Sequence, residues 1–119
     1  MVRDWELVRK ILFTLEAKDS THGQLASESI ENYKPEVVSY HIYMMKEAGL
    51  IDAHCLNSAN ASIVCFASSL TWEGHEFLDK IRNENVWNKI KGHIKAKGLD
   101  LSFDVIKVVV TTIIGNMIP

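Results

Sequence analysis

The sequence predicts a mainly α-helical α+β fold with one small β-hairpin. Apolar residues recur every three or four positions in several segments, which is the period of an amphipathic helix. Two short runs typical of strands, residues 50–56 and 62–67, flank a turn-forming segment rich in Asn and Ser. The 119 residues, 47% hydrophobic and 24% charged, are typical of a single globular domain.

The first two helices have clear boundaries in the sequence. Residues 3–18 have helical periodicity, and Asp4 is placed to act as the N-cap. Pro35 suits the first position of a second helix, which Gly49 ends. Between them, residues 24–33 fit either a short strand or an irregular helical turn, and the pattern does not decide between the two.

Three further helices are predicted after the hairpin. Thr71 is placed to cap a helix over residues 72–83. The next helix covers residues 86–97, and Ser102 is placed to cap a last helix over residues 103–114.

This order of elements is that of a winged helix-turn-helix domain. The stretch Lys46–Ile51 resembles the end of a recognition helix that turns into the first wing strand. The stretch Leu70–Leu78 resembles the exit from the wing in many bacterial regulators. We therefore expect a winged-helix-like domain over residues 1–84. A helical extension over residues 85–119 would pack on it, within one structural domain overall, or form a dimer contact.

A further resemblance covers nearly the whole chain. The stretches that carry it are Arg3-Asp4, Leu7–Leu12, Tyr40-His41, Glu47–Ile51, Leu70–Asp79, Ile81-Arg82, Val86-Trp87 and Leu101–Lys107. In these stretches the chain resembles the domain of unknown function 2513 family of short bacterial and phage proteins. The resemblance implies one domain and a phage or mobile-element context. It implies no activity, so no functional residue is carried over from it.

Composition and cysteine count exclude several classes of protein. Cys55 and Cys65 are too few for a disulfide scaffold, and we expect two buried free thiols. The chain begins with charged residues where a signal peptide would be apolar. The longest stretch without a charged residue, 53–72, is rich in Asn, Ser and Thr, which is unlike a membrane span. We expect a soluble cytoplasmic protein without a cofactor.

The second helix is the candidate recognition helix. Four of its residues are candidates for contacting double-stranded DNA: Ser39, Tyr40, Tyr43 and Lys46. Glu36 and Glu47 share the outward face and would oppose binding to phosphates. The tyrosines suit a protein interface equally well, and a solvated helix face is the third interpretation.

Positive charge is concentrated after the proposed wing. Residues 53–72 contain no Lys or Arg. Residues 80–119 hold seven basic and three acidic residues, against six and twelve in residues 1–79. The candidates for contacting DNA phosphates are Lys89, Lys91 and Lys95. This surface could instead pair with the acidic part of the same or a second subunit, or form a solvated helix face.

The histidines and cysteines match no metal or catalytic motif. The spacing of His54, Cys55 and Cys65 fits no standard zinc pattern, and neighbouring strand residues point to opposite faces. His41 and His75 have no nucleophile motif, P-loop or dinucleotide fingerprint beside them. The sequence therefore predicts no bound metal and no enzyme activity.

The C-terminal tail is apolar on nearly every side. A terminal helix of a small domain rarely buries all of its sides, so we expect a homodimer contact. The residues expected in it are Val109, Ile113, Ile114 and Met117. Insertion into the core is an equal alternative. An edge strand over residues 108–114 and a shallow membrane contact are further alternatives.

The sequence leaves two functions open. The first is a DNA-binding transcriptional regulator of phage or mobile-element origin that contacts mainly the DNA backbone. The second is a winged helix reused as a protein-interaction module that does not bind DNA. The order of elements favours the first function, and the acidic N-terminal part favours the second. Both stay open, since a fold alone does not imply a function.

Overall fold

The computed structural model describes residues 1–18, 23–57, 62–96, 104, 106–109 and 111–112. The chain divides into two compact units, Met1–His75 and Glu76–Pro119, which we describe one at a time. The elements are α1 (Trp5–Glu16), β1 (Leu25–Ala26), a short 3₁₀ helix (Ser27–Ser29), α2 (Pro35–Glu47), β2 (Ile51–Asn57), β3 (Ile63–Leu70), α3 (Trp72–Ile81) and α4 (Glu84–Ala96).

The first unit contains a three-stranded antiparallel sheet in the order β1-β3-β2. β3 is the central strand, with Leu25 of β1 opposite Ala67 on one side and Ile51 of β2 opposite Leu70 on the other. The β2–β3 hairpin is the predicted wing. The structure therefore confirms the mainly helical α+β fold class, in a winged-helix-like arrangement.

The undecided segment, residues 24–33, contains both of the structures that its pattern allowed. Leu25 and Ala26 form the two-residue strand β1, which pairs with β3. The 3₁₀ helix Ser27–Ser29 follows at once. Such a short strand forms only where a partner strand supplies its hydrogen bonds, and β3 lies about forty residues later in the chain.

The core of the first unit lies between the sheet and helices α1 and α2. Each helix buries the apolar face that its 3.6-residue period predicts. Asp4 caps α1 as expected, since its side chain accepts hydrogen bonds from the backbone N–H groups of Glu6 and Leu7. The most buried apolar residues of these two helices are Leu7, Val8, Ile11 and Leu12 of α1 and Val38, Ile42 and Met45 of α2.

His41 joins α2 to the start of α1. The imidazole is fully buried. Its Nδ1 donates to the carbonyl oxygen of Val37 over 2.8 Å, and its Nε2 accepts from the backbone N–H of Asp4 over 2.8 Å. Because a carbonyl only accepts and an N–H only donates, these partners fix a neutral imidazole with its proton on Nδ1.

The two stretches that predicted a winged helix, Lys46–Ile51 and Leu70–Leu78, contact each other in the structure. Gly49 ends α2 with φ of +79°, a conformation that favours glycine. The Thr71 hydroxyl donates to the carbonyl oxygen of Gly49 and accepts from the backbone N–H of Gly74, which caps α3. A Cβ at Gly74 would lie 2.0 Å from the carbonyl oxygen of Leu50, so only glycine allows this contact. The exit from α2 and the entry to α3 therefore form one joint.

The second unit contains the end of α3, α4 and further helical residues. Asn83 caps α4 through its side chain, which accepts from the backbone N–H groups of Asn85 and Val86. Trp87 and Ile90 are fully buried. Residues 104, 106–109 and 111–112 are helical. The edge-strand alternative is therefore wrong at the described positions between residues 108 and 112.

The expectation of two free thiols is wrong, because Cys55 and Cys65 form a disulfide. The β2–β3 register sets them directly opposite each other, with their Cα atoms 4.1 Å apart. This is the narrow, non-hydrogen-bonded type of antiparallel pair, in which the side chains come closest. The sequence indicated that the two cysteines could lie opposite each other, but the register itself depends on pairing that a single sequence does not show.

Candidate interaction surfaces

The outward side of α2 carries two carboxylates and two tyrosines. We call Glu36, Tyr40, Tyr43 and Glu47 the outer α2 face, since steps of three or four residues place them on one side of the helix. Both glutamates are exposed and both tyrosines are half-buried. The opposite side of α2 packs into the core, so the helix presents the face that the sequence predicted.

Tyr43 and Glu47 are joined within this face. A side-chain hydrogen bond to Glu47, followed by the charge of that carboxylate and by burial, raises the pKa of Tyr43 above its ordinary value. The position of Glu47 therefore favours the neutral form of the phenol.

Ser39 does not belong to an exposed surface. It is only 2% exposed, and its hydroxyl accepts from the backbone N–H of Cys65 over 3.1 Å and bonds to the Ser27 hydroxyl. The hydroxyl is thus inside the fold, out of reach of DNA. Lys46, another candidate for a DNA contact on α2, is exposed.

A groove runs beside the outer α2 face, between α2 and the start of β3. It consists of two depressions that share Glu36, Ser62 and Ile63. Glu28, Tyr40 and Met1 are among its other walls, and none of the described residues that line it is Lys, Arg or His. The groove thus continues the acidic and aromatic character of the outer α2 face.

The α4 lysines, Lys89, Lys91 and Lys95, lie on an unbroken helix. Lys89 and Lys95 are exposed, and the Lys91 ammonium lies 5.7 Å from the ring centroid of Trp87. With 3.6 residues per turn, Lys89 and Lys95 lie about 120° apart around the helix. The three lysines therefore surround much of the exposed side of α4 rather than forming one flat patch.

Only part of the expected dimer contact lies among the described residues. Val109 is 6% exposed, whereas its neighbour Val108 is 67% exposed. At position 109 the structure thus favours the alternative of burial within the chain. Ile113, Ile114 and Met117 lie outside the described residues.

The other residues considered as metal ligands or catalytic groups are the two cysteines, His54 and His75. Both sulfur atoms are used in the disulfide, which removes them as metal ligands in this state. His54 is exposed on β2, and His75 is exposed on the first turn of α3. The sequence did not reveal the hydroxyl pair Ser27 and Ser39, because their contact depends on how the 3₁₀ helix packs against α2.

The fold is that of a small α+β protein, consistent with a winged-helix-like arrangement, whose second helix presents acidic and aromatic side chains. The chain belongs to the family described as "Hypothetical protein (DUF2513)", whose sequence profile matches residues 2–100. The resemblance seen in the sequence is thereby confirmed. The chain is also 47% identical over 118 residues to an "Uncharacterized protein" of Haemophilus influenzae (strain ATCC 51907 / DSM 11121 / KW20 / Rd), over 99% of each chain. No solved structure matches it.

In the described part of the chain, no helix combines the length and the apolar character that crossing a bilayer requires.

Proposed function

We propose that the protein is a winged-helix-like interaction module whose outer α2 face binds a partner protein. The observation that carries the proposal is the pair of tyrosines between the exposed Glu36 and Glu47. Tyrosine supplies a large contact area at a low cost in side-chain entropy, and it is enriched at protein interfaces. The flanking carboxylates favour a partner with basic residues.

Charge supports a protein partner over DNA at this helix. The unit Met1–His75 contains six basic and ten acidic residues. Phosphate contacts dominate the affinity of proteins for DNA, and a helix with two exposed carboxylates repels phosphates. The burial of Ser39 removes one of the polar groups that a DNA-reading helix would use.

The test exchanges the tyrosines of the outer α2 face. Tyr40→Ala with Tyr43→Ala should lose a partner that co-purifies with the unchanged chain from host cells. Tyr40→Phe with Tyr43→Phe keeps both rings and should retain that partner. Circular dichroism should show that both variants are folded. Retention of the same partner by the alanine variant would contradict the proposal.

A second candidate function is DNA binding through the α4 lysines, as in a transcriptional regulator of phage or mobile-element origin. The observation that favours it is the exposure of Lys89 and Lys95 on one helix. The unit Glu76–Pro119 holds seven basic and five acidic residues, the opposite balance to the first unit. A contact of this kind would involve the DNA backbone more than the bases.

Titration of random-sequence duplex DNA at several salt concentrations tests this second function. Binding through phosphates weakens steeply as salt rises. Lys89→Glu with Lys95→Glu should abolish it, whereas Lys10→Glu with Lys34→Glu makes the same charge change on the first unit and should weaken it less. Equal effects of the two variants would rule out the α4 lysines as the contact.

We also propose a cytoplasmic homodimer, for which the apolar tail is the support. Light scattering should give twice the chain mass of 13.5 kDa. A mass of one chain at all concentrations would contradict the dimer.

A further inference from the structure

A buried set of hydroxyls connects the wing to α2. The Cys65 backbone N–H donates to the Ser39 hydroxyl over 3.1 Å, and the Cys65 carbonyl accepts from the Ser27 hydroxyl over 3.2 Å. The two hydroxyls also bond to each other. Ser27, Ser39 and Cys65 are each no more than 2% exposed.

Strand pairing explains why hydroxyls occupy these positions. In a non-hydrogen-bonded pair such as Cys55 with Cys65, the backbone groups point away from the opposite residue. Those of Cys65 therefore point to the β1 side, but β1 ends at Ala26, one residue too early to receive them. The hydroxyls of Ser27 and Ser39 take the place of the missing strand.

The disulfide lies at the other side of the same residue. Cys55 is on β2, an edge strand of the sheet, and is half-buried, whereas Cys65 is fully buried. Cys55 is therefore the more exposed residue of the pair, and we take its sulfur as the one that a small molecule attacks. Three covalent bonds from the buried sulfur, through Cβ and Cα, the backbone N–H of Cys65 is held by Ser39 of α2.

We propose that the Cys55–Cys65 disulfide is a redox site that reacts with a small dithiol and whose state is transmitted to α2 through Ser39. Ser39 immediately precedes Tyr40, and both residues line the groove beside α2. Redox control of partner binding would follow, and that consequence alone rests on the function proposed above.

The reaction is a two-electron thiol–disulfide exchange. A thiolate of the dithiol attacks the sulfur of Cys55, so that a mixed disulfide forms and the Cys55–Cys65 bond breaks. Cys65 leaves as a thiolate and takes up a proton. The second thiol of the reductant loses its proton and attacks the reductant's sulfur in the mixed disulfide. Cys55 leaves as a thiolate and takes up a proton. The dithiol is oxidised to a disulfide, and the protein gains two thiols.

The first part of the test uses the full chain, dithiothreitol as the dithiol, and alkylation followed by intact mass measurement. The oxidised chain should take up no label before reduction and two labels after it. The rate of reduction should not change in urea below the unfolding transition, because the native state reacts. No disulfide in air-oxidised protein, or reduction only through global unfolding, would overturn the proposal.

The second part of the test measures transmission without any partner. Amide spectra recorded by NMR should differ between oxidised and reduced protein at Ser39 and Tyr40 as well as in the hairpin. Cys55→Ser should match the reduced spectrum and not respond to dithiothreitol. Shifts confined to β2 and β3 would overturn transmission, whatever the protein binds.

Two substitutions identify the path of transmission. Ser39→Ala removes the hydroxyl that holds Cys65, so the redox-dependent shift at Tyr40 should be lost although two thiols still form. Ser39→Thr keeps a hydroxyl and should restore the shift. An undiminished shift in the alanine variant would show that Ser39 does not transmit the state of the disulfide.

Discussion

At the scale of single residues, the joint between α2 and α3 depends on one glycine. Gly74 allows the first turn of α3 to touch the backbone of Leu50, and Thr71 ties the same turn to Gly49. The sequence indicated both ends of this joint as local patterns. It did not show that they touch, because their contact requires the whole β2–β3 hairpin between them.

Replacement of Gly74 by alanine should destabilise the fold strongly. The added Cβ would lie 2.0 Å from a backbone oxygen that cannot move alone. We expect the free energy of unfolding to fall by about 3 kcal/mol or more, in the range of severe single substitutions. Gly92→Ala is the matched control, because nothing lies within 4 Å of its added Cβ. That variant should gain up to about 1 kcal/mol from helix propensity. Urea unfolding measures the free energy of unfolding of both variants. A similar loss in the two would contradict the close contact assigned to Gly74.

The pKa of Tyr43 should depend on Glu47. Absorbance titration of a Tyr33→Phe, Tyr40→Phe variant isolates this phenol. Its pKa should lie above the ordinary value of 10.0, and Glu47→Gln should lower it. Because the folded state favours the neutral phenol, the stabilisation is present below the ordinary pKa and is lost as pH rises through the raised one. An unchanged pKa in the Glu47 variant would show that the bond does not form in solution.

At the scale of elements, His41 holds α2 against the beginning of α1. His41→Leu should lower the free energy of unfolding by about 1–3 kcal/mol, because the Asp4 N–H loses its acceptor. His75→Ala removes an exposed imidazole and should change stability by less than about 0.5 kcal/mol. Thermal unfolding of both variants tests this difference, and equal effects would contradict the role given to His41.

The elements that the sequence predicted well are those with strong local signals. α1 and α2 have apolar periodicity over three turns and clear ends at Asp4, Pro35 and Gly49, so their boundaries were predicted within two residues. At β1 the sequence allowed a short strand but did not decide for it, because two residues form a strand only when β3 pairs with them. Its existence depends on tertiary structure rather than on local pattern.

The residues of the candidate sites were also predicted well where local spacing decides their position, and badly where tertiary contacts decide it. The tyrosines and glutamates of α2 face outward as the helical period predicts, since that period depends only on local spacing. Ser39 sits at the border of the buried face, where spacing alone does not decide between solvent and a buried partner. Its bonds to Ser27 and Cys65 come from two distant segments, so the sequence placed it wrongly at the surface.

At the scale of the whole molecule, the chain combines two units of opposite charge balance. The acidic first unit carries the winged-helix-like fold and the outer α2 face, and the second unit carries the α4 lysines. In a DNA-reading winged helix, the second helix and the wing are the basic elements. Here basic residues are concentrated elsewhere, which is why we assign α2 to a protein partner.

The most direct test of that assignment is photo-crosslinking in host cells from a photoreactive phenylalanine at position 40. The same amino acid at exposed position 73 on α3 serves as control. We predict a discrete protein adduct from position 40 that position 73 does not give. Adducts to DNA from position 40, or no adduct specific to that position, would contradict a protein-binding role for the outer α2 face.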